Sequence, residues 1–245
     1  MINAFMFGAI IGSFLNVVIY RLPRGESIAF PPSHCPFCGK RLKAWELIPI
    51  ISFIILRGRC STCKRGISFR YLFVELFTGL FFSLLFIKYG FSLDFFRYAT
   101  LGCMALVVSF IDLDYGIIPN SVIIFGLITG CIYGLLANRL QASVFGAVLG
   151  FLILSFIYVI SGGGMGAGDV KFAAVLGLFL EQKLLLLLLF ISFASGALVG
   201  IGLVLFKKKN MKSPIPFGPF LGYASIVAAL RGDELLRIYF DFIGF

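Results

Sequence analysis

Three aspartates and four cysteines are the residues whose types and spacing could do chemistry. Asp112 and Asp114 stand in Ile111-Asp-Leu-Asp-Tyr-Gly-Ile-Ile-Pro-Asn120, and Asp169 in Gly166-Ala-Gly-Asp-Val-Lys171. Two carboxylates brought together cannot both ionise, so they share a proton. One can then act as base on a water while the other, protonated, polarises a carbonyl. The single histidine, His34, lies far away among the cysteines, which leaves no Ser-His or Cys-His set near the acids. Gly166, Gly168 and Lys171 are expected on the side where an extended substrate backbone approaches, which the two glycines would let come close. The plainer account competes with this one. Asp112 and Asp114 are then solvated residues at a helix end, and Lys171 neutralises Asp169, although residues two apart do not face each other on a helix.

Cys35-Pro-Phe-Cys38 and Cys60-Ser-Thr-Cys63 are two Cys-x-x-Cys knuckles. Paired knuckles signal zinc, since each brings two thiolates to one tetrahedral metal at about 2.3 Å. Nearby Arg and Lys favour the thiolate form. Four thiolates close the shell, so Cys35, Cys38, Cys60 and Cys63 are expected to hold a structural Zn2+. Two disulfides would satisfy the same residues, but the loop is expected in the cytoplasm, where disulfides are rare. His34 is either an alternative ligand or a surface residue.

The elements that must position these groups follow from composition. Of 245 residues, 60% are hydrophobic and 13% charged, against roughly 25% charged in soluble domains. The chain therefore reads as an all-α polytopic membrane protein of about eight helices. A first span covers 1–20, a four-cysteine loop domain 21–70, and the remaining spans 71–245. The apolar segments are 2–20, 71–88, 95–111, 120–137, 142–160, 170–180, 184–206 and 215–231. Ser161 to Gly168 is a glycine-rich break before Asp169. Glu75, in the second segment, is expected to pair with Arg70 or face the polar loop. Asn16, in the first, is expected to hydrogen-bond a neighbouring helix.

Charge placement sets the orientation. Residues 21–70 hold ten basic residues against Glu26 and Glu46, and Lys207, Lys208, Lys209 and Lys212 form a second cluster. An excess of Lys and Arg marks cytoplasmic loops, so no nucleic-acid partner is needed to explain the net charge of +10. With the N-terminus outside, odd-numbered spans end inside, and both basic regions fall on the cytoplasmic side together with Asp112 and Asp169. The reading requires the short segment 170–180 to cross, although it has fewer than the ~17 residues of a normal span.

The motif blocks, in their order, resemble the type IV prepilin peptidase family. They are Gly12-Ser-Phe-Leu-Asn-Val-Val-Ile-Tyr-Arg-Leu-Pro23, Pro32 to Lys40 with the first knuckle, and Glu46-Leu-Ile-Pro-Ile-Ile-Ser52. Arg57-Gly-Arg-Cys60, Ile67-Ser-Phe-Arg-Tyr71 to Glu75, Asp112 with Ile118-Pro-Asn120, and Gly164 to Lys171 complete the set. The resemblance implies an aspartic endopeptidase of the cytoplasmic membrane. It removes the basic leader from prepilins or pseudopilins, and many members then methylate the new N-terminus with S-adenosylmethionine. The family's first aspartate lies seven residues before the proline of Ile-Pro-Asn, which selects Asp112 over Asp114 as the partner of Asp169. The four-cysteine region resembles the part of the family linked to methylation. No residue is read as binding the methyl donor. From the residues alone, a zinc-stabilised membrane scaffold without catalysis, or a peptidase without methyl transfer, stays open. Oligomeric state is not encoded legibly.

Overall fold

The computed structural model describes residues 1–162, 164–205 and 215–243. Gly163 and the Lys207–Lys212 cluster lie outside the described residues. The helices are α1 (Ile2–Arg21), α2 (Ile51–Ile55), α3 (Phe69–Tyr89), α4 (Leu93–Tyr115), α5 (Asn120–Leu136), α6 (Leu140–Ile160), α7 (Ala167–Leu205) and α8 (Gly218–Ile243). No strand occurs among the described residues; two isolated antiparallel bridges, His34 with Arg41 and Arg59 with Gly66, close the knuckle turns. The chain forms two compact units, Met1–Phe91 and Ser92–Phe245.

Five helices are long and apolar enough to cross a membrane: α1, α3, α4, α6 and α7. A further apolar helix, α5, is shorter at 17 residues, and α8 carries Arg231, Asp233, Glu234, Arg237 and Asp241 in its second half. In the first unit α1 packs on α3 through small residues. A Cβ on Gly12 would lie 2.9 Å from Glu75 Cα, and one on Gly8 2.6 Å from the Thr78 carbonyl. Such stripes let apolar helices approach where no hydrophobic force separates them from lipid. Asn16 joins the same pair, donating from Nδ2 to the Tyr71 carbonyl at 3.1 Å, as its place in an apolar helix leads one to expect.

In the second unit α7 is two arms. Its 39 residues would run ~58 Å as a straight helix. At Glu181 the backbone turns to φ 57°, ψ −176°, a region essentially reserved for glycine. A Cβ on Gly150 of α6 would meet both the Ala173 carbonyl at 2.6 Å and Leu185 Cδ2 at 3.2 Å, whereas twelve residues of straight helix would separate those two by ~18 Å. The second arm therefore folds back. Ser192 then donates to the Phe220 carbonyl at 3.3 Å, at the start of α8. Charges pin the elbow. Buried Arg97 reaches Glu181 Oε1 at 3.3 Å and Asp94 at 3.7 Å, and Arg139 reaches Glu181 at 3.8 Å. A buried guanidinium must be paired, and the elbow supplies its partner.

Candidate functional site

Asp112 lies in the last turn of α4, which Gly116 closes in the left-handed conformation at φ 66°. It is 7% exposed, whereas Asp114, two positions on, faces outward and is exposed. The two aspartates thus differ in burial. Small residues again permit the approach: Gly222 of α8 packs on Ala105 and Ser109 of α4. One turn further along, Gly218 donates its backbone N–H to Asp112 Oδ2 at 2.8 Å. The free N–H groups at a helix start attract a carboxylate.

Asp169 sits in the first turn of α7 and is 6% exposed. Its Oδ2 accepts the Gly166 N–H at 3.2 Å, the return arm of a helix-start cap. Its Oδ1 is buried without a hydrogen-bond partner among the described residues. Asp112 and Asp169 are thus two buried carboxyls, each held by a backbone N–H at the start of a helix. A buried, paired carboxylate set with one open oxygen can hold a shared proton and a water.

The glycines and the lysine of the second motif stand against other residues of the two motif blocks. A Cβ on Gly168 would lie 3.0 Å from Ile118 Cβ, and one on Gly166 3.0 Å from Asp169 Oδ2. Lys171 donates to Asn120 Oδ1 at 3.1 Å, so it ties the two motif blocks together. Three residues escaped the sequence reading. Gly218 had a readable signal, since Gly218-Pro219 before an apolar run marks a helix start. Glu181 and its partner Arg97 had none beyond charge amid apolar residues.

In the first unit the four cysteine Sγ atoms lie within 4.8 Å of one another. Cys35 and Cys63 are 3.8 Å apart and Cys38 and Cys60 4.0 Å. A tetrahedron of 2.3 Å zinc–sulfur bonds has edges of about 3.8 Å, so the donor set fits Zn2+. These separations are far beyond a disulfide bond, and all four thiols are free. His34 hydrogen-bonds the Pro32 carbonyl at 3.0 Å and lies outside this group. Each knuckle repeats one turn, with Gly39 donating to the Cys35 carbonyl at 2.9 Å and Lys64 to that of Cys60 at 3.1 Å.

Glu46 ties the knuckles together. Its carboxylate accepts the Lys43 N–H at 2.7 Å, the Ser61 hydroxyl, and Lys40 Nζ at 2.9 Å. Those donors, the Lys43 N–H first and then Ser61 and Lys40, hold its carboxyl at about 2 against the usual 4.5. Glu75 resolves toward the loop: it accepts the Ile50 N–H at 2.7 Å.

Residues 6–89 match the bacterial peptidase A24 N-terminal domain, and residues 99–201 match the type IV leader peptidase family. With the helices that are long and apolar enough to cross a membrane, these matches make the chain a multi-pass membrane peptidase. The chain belongs to the type IV leader peptidase family, and so is an enzyme. It is 38% identical to the prepilin leader peptidase/N-methyltransferase of Bacillus subtilis (strain 168) over 96% of each chain. It is 36% identical to that of Pseudomonas putida, over 99% of this chain and 94% of the relative. A Myxococcus xanthus protein of the same name is 38% identical over 82% of this chain and 62% of its own. No solved structure matches.

Proposed function

We propose that this chain is an aspartic endopeptidase that removes the basic leader from prepilins or pseudopilins, with Asp112 and Asp169 as its dyad. The observation that supports the reading is two buried carboxylates, each accepting a backbone N–H at the start of a different helix, one with an oxygen left open. In the reaction, one carboxylate takes a proton from water as the water oxygen bonds to the scissile carbonyl carbon. The other, protonated, passes its proton to the carbonyl oxygen. Collapse of the tetrahedral intermediate breaks the C–N bond: the leaving amine takes one proton from the dyad, and a hydroxyl of the intermediate returns its proton to the dyad as the C=O re-forms, which restores the shared proton. A prepilin joins an apolar helix to a basic leader, so its scissile bond lies at a membrane face. The bias of Lys and Arg supports the cytoplasmic face for the dyad and the four-cysteine loop, in the inner membrane, with the N-terminus outside.

The fold-back of α7 supports reading 170–180 as a crossing arm, which keeps the parity of that topology. Eight crossings then follow if α5, both arms of α7, and α8 each span. The first arm, Ala167–Leu180, is ~21 Å long, so the bilayer there would be thinned or its ends covered by protein.

Cys35, Cys38, Cys60 and Cys63 would hold Zn2+, which supplies a structural cross-link for a loop with little core of its own. Methylation of the new N-terminus from S-adenosylmethionine is proposed on the relatives' printed name, and the methyl donor is assigned no residues of this chain. Incubation of purified enzyme with a candidate prepilin and S-adenosylmethionine, followed by mass spectrometry of the product, tests both halves. Cleavage without an added methyl would support a peptidase alone; no cleavage of any prepilin or pseudopilin would overturn the reading.

A further inference from the structure

The loop between α1 and α3 is polar in aggregate but contains Leu47-Ile-Pro-Ile-Ile-Ser-Phe-Ile-Ile-Leu56, ten residues without a charge. A run of that length is too short to span and suits either a buried core helix or an interfacial segment. Its large side chains point outward: Ile54 and Ile55 are each 64% exposed and Ile51 53%, with Trp45, Leu47 and Ile48 also exposed. Phe53 is half-buried, its ring 5.6 Å from that of exposed Phe69, so α2 leaves the face of Ile51, Ile54 and Ile55 bare.

Depth comes from a hydrogen bond. The Ile50 N–H is bound by Glu75 Oε2 at 2.7 Å, and Ser13 of α1 reaches the same carboxylate. Glu75 lies six residues into α3, about 9 Å along it. The backbone that enters α2 is therefore level with the second turn of a membrane-crossing helix, and it is locked there by a turn of unusual geometry. Ile50 is at φ 64°, ψ −55°, and Ile51 donates back to the Pro49 carbonyl at 2.6 Å. This is a three-residue turn that is rare and strained, in a β-branched residue that avoids positive φ. Structure that over-determines a strained turn implies that its placement matters. Lys43, Arg57 and Arg59 flank the run, where cations meet anionic headgroups.

We infer that residues 47–55 are embedded in the bilayer at the boundary between headgroups and acyl chains, with α2 laying Ile51, Ile54 and Ile55 into lipid. Interfacial helices sit ~5–10 Å below the surface, and the Ile50 backbone is level with a point ~9 Å into α3. The four-cysteine loop is thereby anchored to the membrane surface at its centre as well as at its two ends. The inference rests on α1 and α3 crossing the membrane and not on the peptidase reading.

Trp45 is the only tryptophan, so native fluorescence reports on this segment. The full-length protein is placed in phosphatidylcholine/phosphatidylglycerol bilayers whose acyl chains are brominated either near the headgroup or near the methyl end. A second protein, Trp45→Phe with Ile54→Trp, moves the reporter onto α2. Both are expected to emit blue-shifted light and to be quenched more by bromine near the headgroup, with greater loss from position 54. Unquenched emission typical of indole in water would overturn the inference. So would blue-shifted emission that no brominated lipid quenches, which would mean that a protein surface covers the face.

Discussion

Gly218 donates its backbone N–H to Asp112 Oδ2 at 2.8 Å, joining residues 106 apart. The contact holds because residue 218 has no side chain: a Cβ there would stand 2.8 Å from the same oxygen and 3.0 Å from Asp112 Cβ. Gly218→Ala should therefore displace the carboxylate while leaving the helices in place. A misplacement near 1 Å costs about 100-fold in rate. The expected result is a loss of that order in prepilin cleavage, measured as initial rate on membrane-inserted protein, with an unchanged amount of protein in the membrane.

The elbow at Glu181 separates strain from charge. Glu181→Ala and Glu181→Gly both lose the contacts to Arg97 and Arg139, but only glycine adopts φ 57°, ψ −176° without penalty. Strain of this kind is worth about 1–3 kcal/mol. Thermal unfolding in detergent should therefore rank wild type and Glu181→Gly above Glu181→Ala. Equal stability of the two variants would mean that the backbone there relaxes freely.

Removal of the metal should loosen the four-cysteine loop. The double variant Cys35→Ser with Cys60→Ser should abolish stoichiometric zinc in purified protein, measured by metal analysis with thiol counting. Zinc bound at full stoichiometry to that variant would contradict the ligand set.

Glu46→Gln should weaken zinc retention without touching a ligand. The folded carboxyl, at about 2, lies below its ordinary 4.5. Its stabilising effect is therefore complete above pH 4.5 and lost as pH falls through about 2. The difference between wild type and Glu46→Gln in zinc retention should stay flat from about pH 8 to about pH 5. A difference that fades between about pH 8 and about pH 6 would show that Glu46 is not held in this way.

What could be read from the chain and what could not follows from the range of each interaction. The choice of Asp112 over Asp114 rests on the resemblance to the family, through its offset from Pro119; in the structure Asp112 is buried and Asp114 exposed. The four cysteines were legible because a tetrahedral metal dictates their spacing. The break between 170–180 and 184–206 showed as Glu181-Gln-Lys183 between apolar runs, but its partner Arg97 lies 84 residues earlier. The depth of residues 47–55 was hidden for another reason. Ile50 adopts a conformation against its own preference, and only the carboxylate of Glu75 in α3 explains it.

The dyad itself is tested by two isosteric changes that remove only the ionisable oxygen. Asp112→Asn and Asp169→Asn, each purified and inserted in bilayers, should cleave a prepilin at rates reduced by more than about 1,000-fold. Asp114→Asn, at an exposed position, should keep most of the activity. Full cleavage by either Asp112→Asn or Asp169→Asn would contradict the assignment of these two carboxylates as the pair that does the chemistry.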